Sequence, residues 1–454
     1  MQIINPATGS VLEEIETDNE GLLSQKLALL REGQKSWADT ALSHRLEILT
    51  LFSECLLAKR AELAYTLTSE MGKPLQQARN EINGARNRIQ WFIENAAQWL
   101  APEIMHQEAG LTEKIVYEPL GVICHISAWN YPYLVGVNVF VPALLAGNAV
   151  MYKPSEYATL TGLAIHRLWL QAGLPAEVMQ LAIGGPDIGE ILLNQDFDGY
   201  FFTGSYKTGQ YIYKRVAPRM VTCQCELGGK DPLYVTDDIQ DITSVVAATA
   251  DGAFYNNGQS CCAVERIYVH EKIYQDYVSA FMKEVKSWKT GSPLEPDTYI
   301  GPLSRESQLA VLADQVSDAL QKGATLLTGG YRLDRPGYYF EPTVLTEVTH
   351  DMKVMREESF GPIIGIMKVK NDEEALALMN DTEYGLTAAV YSASEERAVK
   401  ILTKTDSGTG YWNCCDRVSA ALPWSGRRNS GFGVTLSHAG IRAYTRPKAL
   451  HLKR

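Results

Sequence analysis

The sequence predicts an α/β protein made of two parallel-sheet units, and three observations carry that reading. Apolar, β-prone runs alternate with amphipathic helical stretches from about residue 121 to residue 225, the pattern of a parallel sheet covered on both faces. The alternation resumes behind Cys261-Cys262 and continues to about residue 402. At 454 residues the chain is too long for one simple core, so two or three domains are expected, the second α/β unit starting near residue 228.

The N-terminal stretch, to about residue 110, reads as mostly helical. Leu22 to Trp37, Arg45 to Met71 and Ala78 to Leu100 carry apolar residues at helical spacing, and Gly72-Lys73-Pro74 ends the second of these. Residues 113–120 and 121–126 are expected strands, and the apolar run Tyr133 to Gly147 a buried helix, too short and too interrupted to span a bilayer. Strands then fall at 149–152, 178–183, 199–202 and 221–225, with helices at 159–171, 188–194 and 207–217 between them. Behind the cysteine pair come a strand at 266–269, helices at 274–287 and 304–322, strands at 344–346 and 363–368, a helix at 372–380, a strand at 388–391 and a helix at 395–402. Ile441 to Leu452 alternates like an extended arm. Open parallel sheets bind ligands at the carboxyl ends of their strands, so those turns draw the search for chemistry.

Composition removes several classes of function. Hydrophobic residues at 46% and charged residues at 21% are ordinary for a soluble globular protein. A net charge of -11 argues against nucleic acid or an anionic membrane as partner. Met1-Gln2-Ile3-Ile4-Asn5-Pro6 has no basic-then-apolar export pattern, so a cytoplasmic protein with eight reduced cysteines is expected. No Cys-x-x-Cys pair or His-rich spacing occurs, and no metal is expected.

Asn256-Asn257-Gly258-Gln259-Ser260-Cys261-Cys262 suits a buried loop that presents a thiol. Two packed, inert thiols are the alternative. Trp129-Asn130-Tyr131-Pro132 follows an apolar strand; the Asn130 amide can donate to an oxyanion or cap the next helix. Lys153-Pro154-Ser155-Glu156 follows another strand, where a carboxylate can accept ribose hydroxyls or merely cap a turn. Phe202-Thr203-Gly204-Ser205 opens a helix whose N-terminus suits a phosphate, although no Gly-x-Gly-x-x-Gly fingerprint appears. Glu226-Leu227-Gly228-Gly229 offers a base at a strand end, and Glu357-Glu358-Ser359-Phe360-Gly361-Pro362 paired carboxylates before a rigid turn.

In this order and at these separations, the six motifs resemble the NAD(P)-dependent aldehyde dehydrogenase superfamily, from Asn5-Pro6-Ala7-Thr8-Gly9 to Ser430-Gly431-Phe432-Gly433. The resemblance implies a Rossmann-like NAD-binding domain (1–110 and 121–227), a second α/β catalytic domain (228–430) and a small β oligomerisation arm (111–120 and 431–454) of a homodimer or homotetramer. It makes Cys261 the nucleophile, Asn130 with the Cys261 N–H the oxyanion hole, and Glu226 the base for the deacylating water. Lys153 and Glu156 would hold the adenosine ribose, Ser205 the pyrophosphate and Glu358 the nicotinamide ribose, with Trp129, Ser155, Gly204, Leu227 and Phe360 lining the same site. Glu156 favours NAD, while Lys153 and Ser155 leave NADP open. The implied reaction oxidises a small aldehyde to its acid through a thiohemiacetal and a thioester. A cysteine acyltransferase or thioesterase without hydride transfer is the alternative.

The sequence departs from the family pattern at Ala128 and at Leu422-Pro423-Trp424-Ser425-Gly426, where an unusual substrate entrance is expected. Leu436-Ser437-His438-Ala439-Gly440-Ile441 resembles bacterial succinate-semialdehyde members, although Asn138 and Tyr255 stand where carboxylate-binding members often carry Arg. That substrate is kept as a candidate with Arg417 or Ser419 as anchors, beside neutral aliphatic and betaine-type aldehydes.

Overall fold

A computed structural model describes residues 1–454. Two sheets dominate it. The first has six strands in the order Gly431–Phe432, Thr222–Glu226, Gly199–Thr203, Val122–Ile126, Ala149–Lys153, Met179–Leu181. All pairings are parallel except that of the two-residue edge strand Gly431–Phe432. These strands are apolar on both faces because helices cover both. The chain enters at Val122–Ile126, builds outward to Met179–Leu181, then returns to lay Gly199–Thr203 on the other side. The strand order therefore reverses beside Val122–Ile126, and a crevice opens at the carboxyl ends there.

The second sheet has seven strands: Thr325–Thr328, Thr343–Thr346, Ile363–Val369, Val264–His270, Asp231–Val235, Thr387–Tyr391 and Thr409–Trp412. It is parallel apart from the first edge strand. Gly228-Gly229, Cys261 and Glu358-Phe360 each lie just before one of its central strands. The site thus draws on the carboxyl ends of the first sheet and the amino ends of the second.

Several expectations are corrected. Arg45 to Met71 is not one helix: Lys59, with φ -103 and ψ 12, breaks it into Leu42–Ala58 and Arg60–Met71. Both pieces turn apolar faces into the large core under the first sheet. The N-terminal stretch is mostly helical, as expected, and adds strands at its two ends: Gln2–Ile4 pairs with Val11–Glu14, and Glu103–Glu108 with Leu111–Pro119. Residues 431–454 do not form one arm. Gly431–Phe432 joins the first sheet against Cys225 and Glu226, and helix Ser437–Arg442 packs on helix Leu75–Leu100. Only Thr445–Lys453 extends a three-stranded sheet with Leu111–Pro119 and Glu103–Glu108. A Cβ at Gly431 would lie 2.0 Å from the Cys225 carbonyl oxygen, so glycine admits this close crossing. No helix is long and apolar enough to cross a membrane.

Candidate active site

The expected catalytic and cofactor-binding residues all line one cleft of about 540 Å³ between the two sheets: Trp129, Asn130, Lys153, Ser155, Glu156, Gly204, Ser205, Glu226, Leu227, Cys261, Glu358 and Phe360; the expected substrate anchors Arg417 and Ser419 do not. Local backbone chemistry explains how each arrives.

Asn256, Asn257 and Gly258 take left-handed φ values of 55°, 59° and 70° in succession. Asparagine tolerates that region better than other side chains, and a Cβ on Gly258 would lie 2.3 Å from the Gly361 carbonyl. Side-chain hydrogen bonds hold the turn. The Asn256 N–H donates to Gln77 Oε1 (2.9 Å), Asn257 Nδ2 to the Pro302 carbonyl (2.8 Å), and the Ser304 N–H to Gln259 Oε1 (3.0 Å). The chain then delivers Cys261, half-buried, into the cleft, whereas Cys262 is buried. Cys262 Sγ donates to Asp416 Oδ1 at 3.0 Å, as does Ser260 Oγ at 2.9 Å. The adjoining Cys261, burial and Asp416 together push the Cys262 thiol well above its ordinary range. The two cysteines are therefore chemically distinct.

Asn130 is buried and clamped from three directions. Its Nδ2 donates to the Gln259 carbonyl at 3.1 Å. Its own carbonyl accepts from Lys73 Nζ at 2.7 Å and Asn256 Nδ2 at 3.2 Å. Lys73 forms a fully buried ion pair with Glu81 and lies 3.8 Å above the Tyr131 ring, while Glu81 Oε1 accepts the Tyr133 N–H at 2.9 Å. The loop carrying Asn130 is thus pinned to the helix Leu75–Leu100 at both ends.

Glu226 ends its strand with one oxygen engaged and one free. Oε1 accepts the Trp424 indole N–H, and buried Oε2 has no partner. Burial lifts this carboxyl to about 7, against smaller opposing effects of Trp424, Arg88 and Thr203. A carboxylate in that range can take a proton from water near neutral pH.

The cleft also fits a dinucleotide. Lys153 Nζ lies 3.9 Å from Glu156 Oε2 at one strand end, with Ser155 Oγ donating to the same oxygen at 3.4 Å. Gly204 leads into helix Tyr206–Val216, whose N-cap Ser205 accepts the Thr208 N–H. Leu227 packs so tightly on that helix that a Cβ at Gly209 would lie 2.4 Å from it. Glu358 Oε1 accepts the Gly229 N–H at 3.0 Å, and a Cβ on Gly228 would lie 2.2 Å from the same oxygen. Burial, then the neighbouring Glu265, pushes the Glu358 carboxyl to about 8. Phe360, at φ 48°, meets Trp129 edge-on at 5.5 Å. Two carboxyl groups, Glu156 and Glu358, line the cleft and suit the hydroxyls of two riboses, and the helix start at Ser205 in the same cleft suits a pyrophosphate.

Sequence reasoning noted Trp424 but not its bond to Glu226, and missed Asp416, the Lys73–Glu81 pair, Arg88 and Arg305. The Arg305 guanidinium lies 5.3 Å from the Trp129 ring inside the cleft. Arg88 is buried behind the cleft: its Nη1 donates to Asn138 Oδ1 at 2.8 Å, and the charges of Glu226, Cys262 and Cys261 act on it. A signal was present, since Glu81 and Arg88 interrupt the apolar stripe of Ala78, Ile82, Ala85, Ile89 and Phe92. Tyr255 instead accepts from Asn80 Nδ2, and Arg417 and Ser419 stand exposed.

The family model described as "Aldehyde dehydrogenase family" matches residues 1–450. The chain is 33% identical to a succinate-semialdehyde dehydrogenase [NADP(+)] of Deinococcus radiodurans, covering 98% of this chain and 93% of that protein. It is likewise 33% identical to a chloroplastic betaine aldehyde dehydrogenase of Beta vulgaris, over 97% and 91%. The solved structure of the aldehyde dehydrogenase KauB from Pseudomonas aeruginosa superposes with a TM-score of 0.97 at 30% identity, covering 100% of this chain and 93% of that one. A cleft that joins a buried cysteine turn to two sheets, matched along nearly its whole chain, has one conclusion: this chain belongs to the aldehyde dehydrogenase family.

Proposed function

We propose that Cys261, Asn130 and Glu226 carry the oxidation of a small aldehyde to its carboxylic acid in this cleft. As a family member the chain is an NAD(P)-dependent aldehyde dehydrogenase, with a Rossmann-like domain and a catalytic domain. The observation that carries the residue-level reading is that these three side chains share one cleft with the dinucleotide-fitting residues.

The Cys261 sulfur bonds to the aldehyde carbon, and the carbonyl oxygen becomes an oxyanion. The Asn130 amide and the Cys261 N–H stabilise that charge, which is strongest where water is excluded. When bound, the nicotinamide ring supplies the hydride acceptor. Cys261 keeps the acyl group as a thioester, and Glu226 takes a proton from the water that opens it. Glu358 and the pair Lys153 and Glu156 would hold the two riboses of the cofactor, and Ser205 its pyrophosphate. Glu156 repels an added 2′-phosphate, which favours NAD, while Lys153 and Ser155 keep NADP open.

Succinate semialdehyde is kept as a candidate substrate on the likeness to the Deinococcus radiodurans protein, beside neutral aliphatic and betaine-type aldehydes. We further infer a cytoplasmic homodimer or homotetramer joined through the three-stranded sheet, supported by eight free thiols and the exposed Ile104, Met105 and Leu452 on that sheet. The test mixes the protein with a panel of carboxylate-bearing, neutral and cationic aldehydes and with NAD or NADP, following reduced nicotinamide. Reduction that disappears in Cys261→Ala is expected. No reduction with any aldehyde, or full activity in Cys261→Ala, overturns the reading.

A further inference from the structure

The segment from Trp424 to Thr435 lies against the strand that ends at Glu226. It is stitched to the very strand that carries the base. Gly431 and Phe432 pair antiparallel with Glu226 and Cys225, the Leu227 N–H donates to the Ser430 carbonyl at 3.1 Å, and the Val434 N–H to Gln224 Oε1 at 3.0 Å. Trp424 and Thr435 exchange both backbone hydrogen bonds, at 2.8 and 2.9 Å. Trp424 is 4% exposed, and its indole N–H ends on Glu226 Oε1. Donor and acceptor therefore ride on one rigid unit.

We propose that Trp424 is a positioning residue for deacylation: its indole N–H fixes Oε1 of Glu226 and leaves Oε2 as the carboxylate oxygen free to take a proton. This rests on the reading of Glu226 as the base. In the step it serves, the water oxygen bonds to the acyl carbon and the carbon–sulfur bond breaks. The water proton passes to Oε2, and the departing Cys261 thiolate then recovers a proton.

The choice of donor has a physical reason. Indole is donor-only and neutral, so it orients a carboxylate without taking its proton or quenching its basicity. A lysine or arginine would hold the carboxylate ionised and make it a weak base. An apolar side chain would leave both buried oxygens without partners. The other groups facing Glu226 do not replace it. Arg88 is held on the Leu134 carbonyl and Asn138 Oδ1 and acts through space, and Tyr444 donates to the Asn138 carbonyl. Thr203, on the neighbouring strand, also lowers the carboxyl through its hydroxyl, as the last of the effects on it, but Oε2 has no hydrogen-bond partner.

The test is stopped-flow turnover of Trp424→Phe across pH, beside Glu226→Gln. Trp424→Phe should keep a burst of reduced nicotinamide of about one equivalent per site while steady-state kcat falls roughly 10-fold. The rising limb of kcat should move upward by about one pH unit, because the charged form of Glu226 loses a donor. Unchanged kcat and limb, or burst and kcat lost in equal proportion, overturns the positioning role. Full turnover in Glu226→Gln overturns the base itself and is recognised separately. Should Trp424→Phe not fold, benzothienylalanine at position 424 replaces the N–H by sulfur in a ring of similar shape and carries the same expected and overturning outcomes.

Discussion

Asn130 and Glu226 reach Cys261 from the same sheet and are held in opposite ways. Around Asn130 every polar atom named has a partner, from Lys73, Asn256 and Gln259. Glu226 is tethered through one oxygen, and its other oxygen is unpaired and buried. On the proposed roles, oxyanion donor for Asn130 and base for Glu226, the difference has a physical reason. An oxyanion donor works by not reorganising as charge develops, so it gains from a rigid cage. A base must change its protonation state, so it needs a free lone pair in a setting that neither fixes nor forbids the charge.

The largest expected effect comes from breaking the rigid side. Asn130→Ala should slow acylation about 100- to 1,000-fold, read as the rate of the first hydride transfer, with little change in cofactor affinity. A smaller loss tests the cage rather than the donor. Lys73→Met alone leaves Glu81 buried without a counter-charge, so the double variant Lys73→Met/Glu81→Gln is the cleaner probe. It should slow acylation roughly 10-fold and leave deacylation unchanged, because only the loop carrying Asn130 loosens.

The smallest effect concerns the free side and appears in stability. The folded Glu226 carboxyl titrates at about 7, above its ordinary value, so the folded state binds more protons than the unfolded state between those two pH values. Stability from this group is therefore present at low pH and lost as pH rises through about 7. Glu226→Gln removes the dependence. It should be more stable than the parent by roughly 1–3 kcal/mol near pH 8, after discounting for partial exposure, with the difference shrinking towards pH 5; urea unfolding at both pH values reads it.

How much of this was legible depends on how far each residue acts along the chain. The cysteine turn, the strand-end carboxylates and the helix start at Ser205 write their geometry into a few adjacent residues, so pattern reading raised them as candidates and the resemblance of the six motifs together selected them. Trp424, Lys73, Glu81, Arg88 and Asp416 matter only through partners far away in sequence. Lys73 read as part of a helix stop, yet its ammonium lies on the Asn130 carbonyl. The long periodic helices were readable, but the break at Lys59 was not, because neither Gly nor Pro marks it. The strand Val11–Glu14 escaped notice because it is exposed along its length and carries no alternation, and Gly431–Phe432 because two residues have no period. The three-stranded sheet was half legible: its last strand alternates, while Glu103–Glu108 reads as a polar continuation of the preceding helix.

The most direct test of the contrast between the two partners of Cys261 is a single-turnover comparison of Asn130→Ala and Glu226→Gln with one aldehyde and NAD. The account predicts that Glu226→Gln releases a full burst of reduced nicotinamide and then stalls as the thioester, whereas Asn130→Ala loses the burst itself. Equal loss of burst and turnover in both variants would contradict the division of labour between a caged donor and a free base.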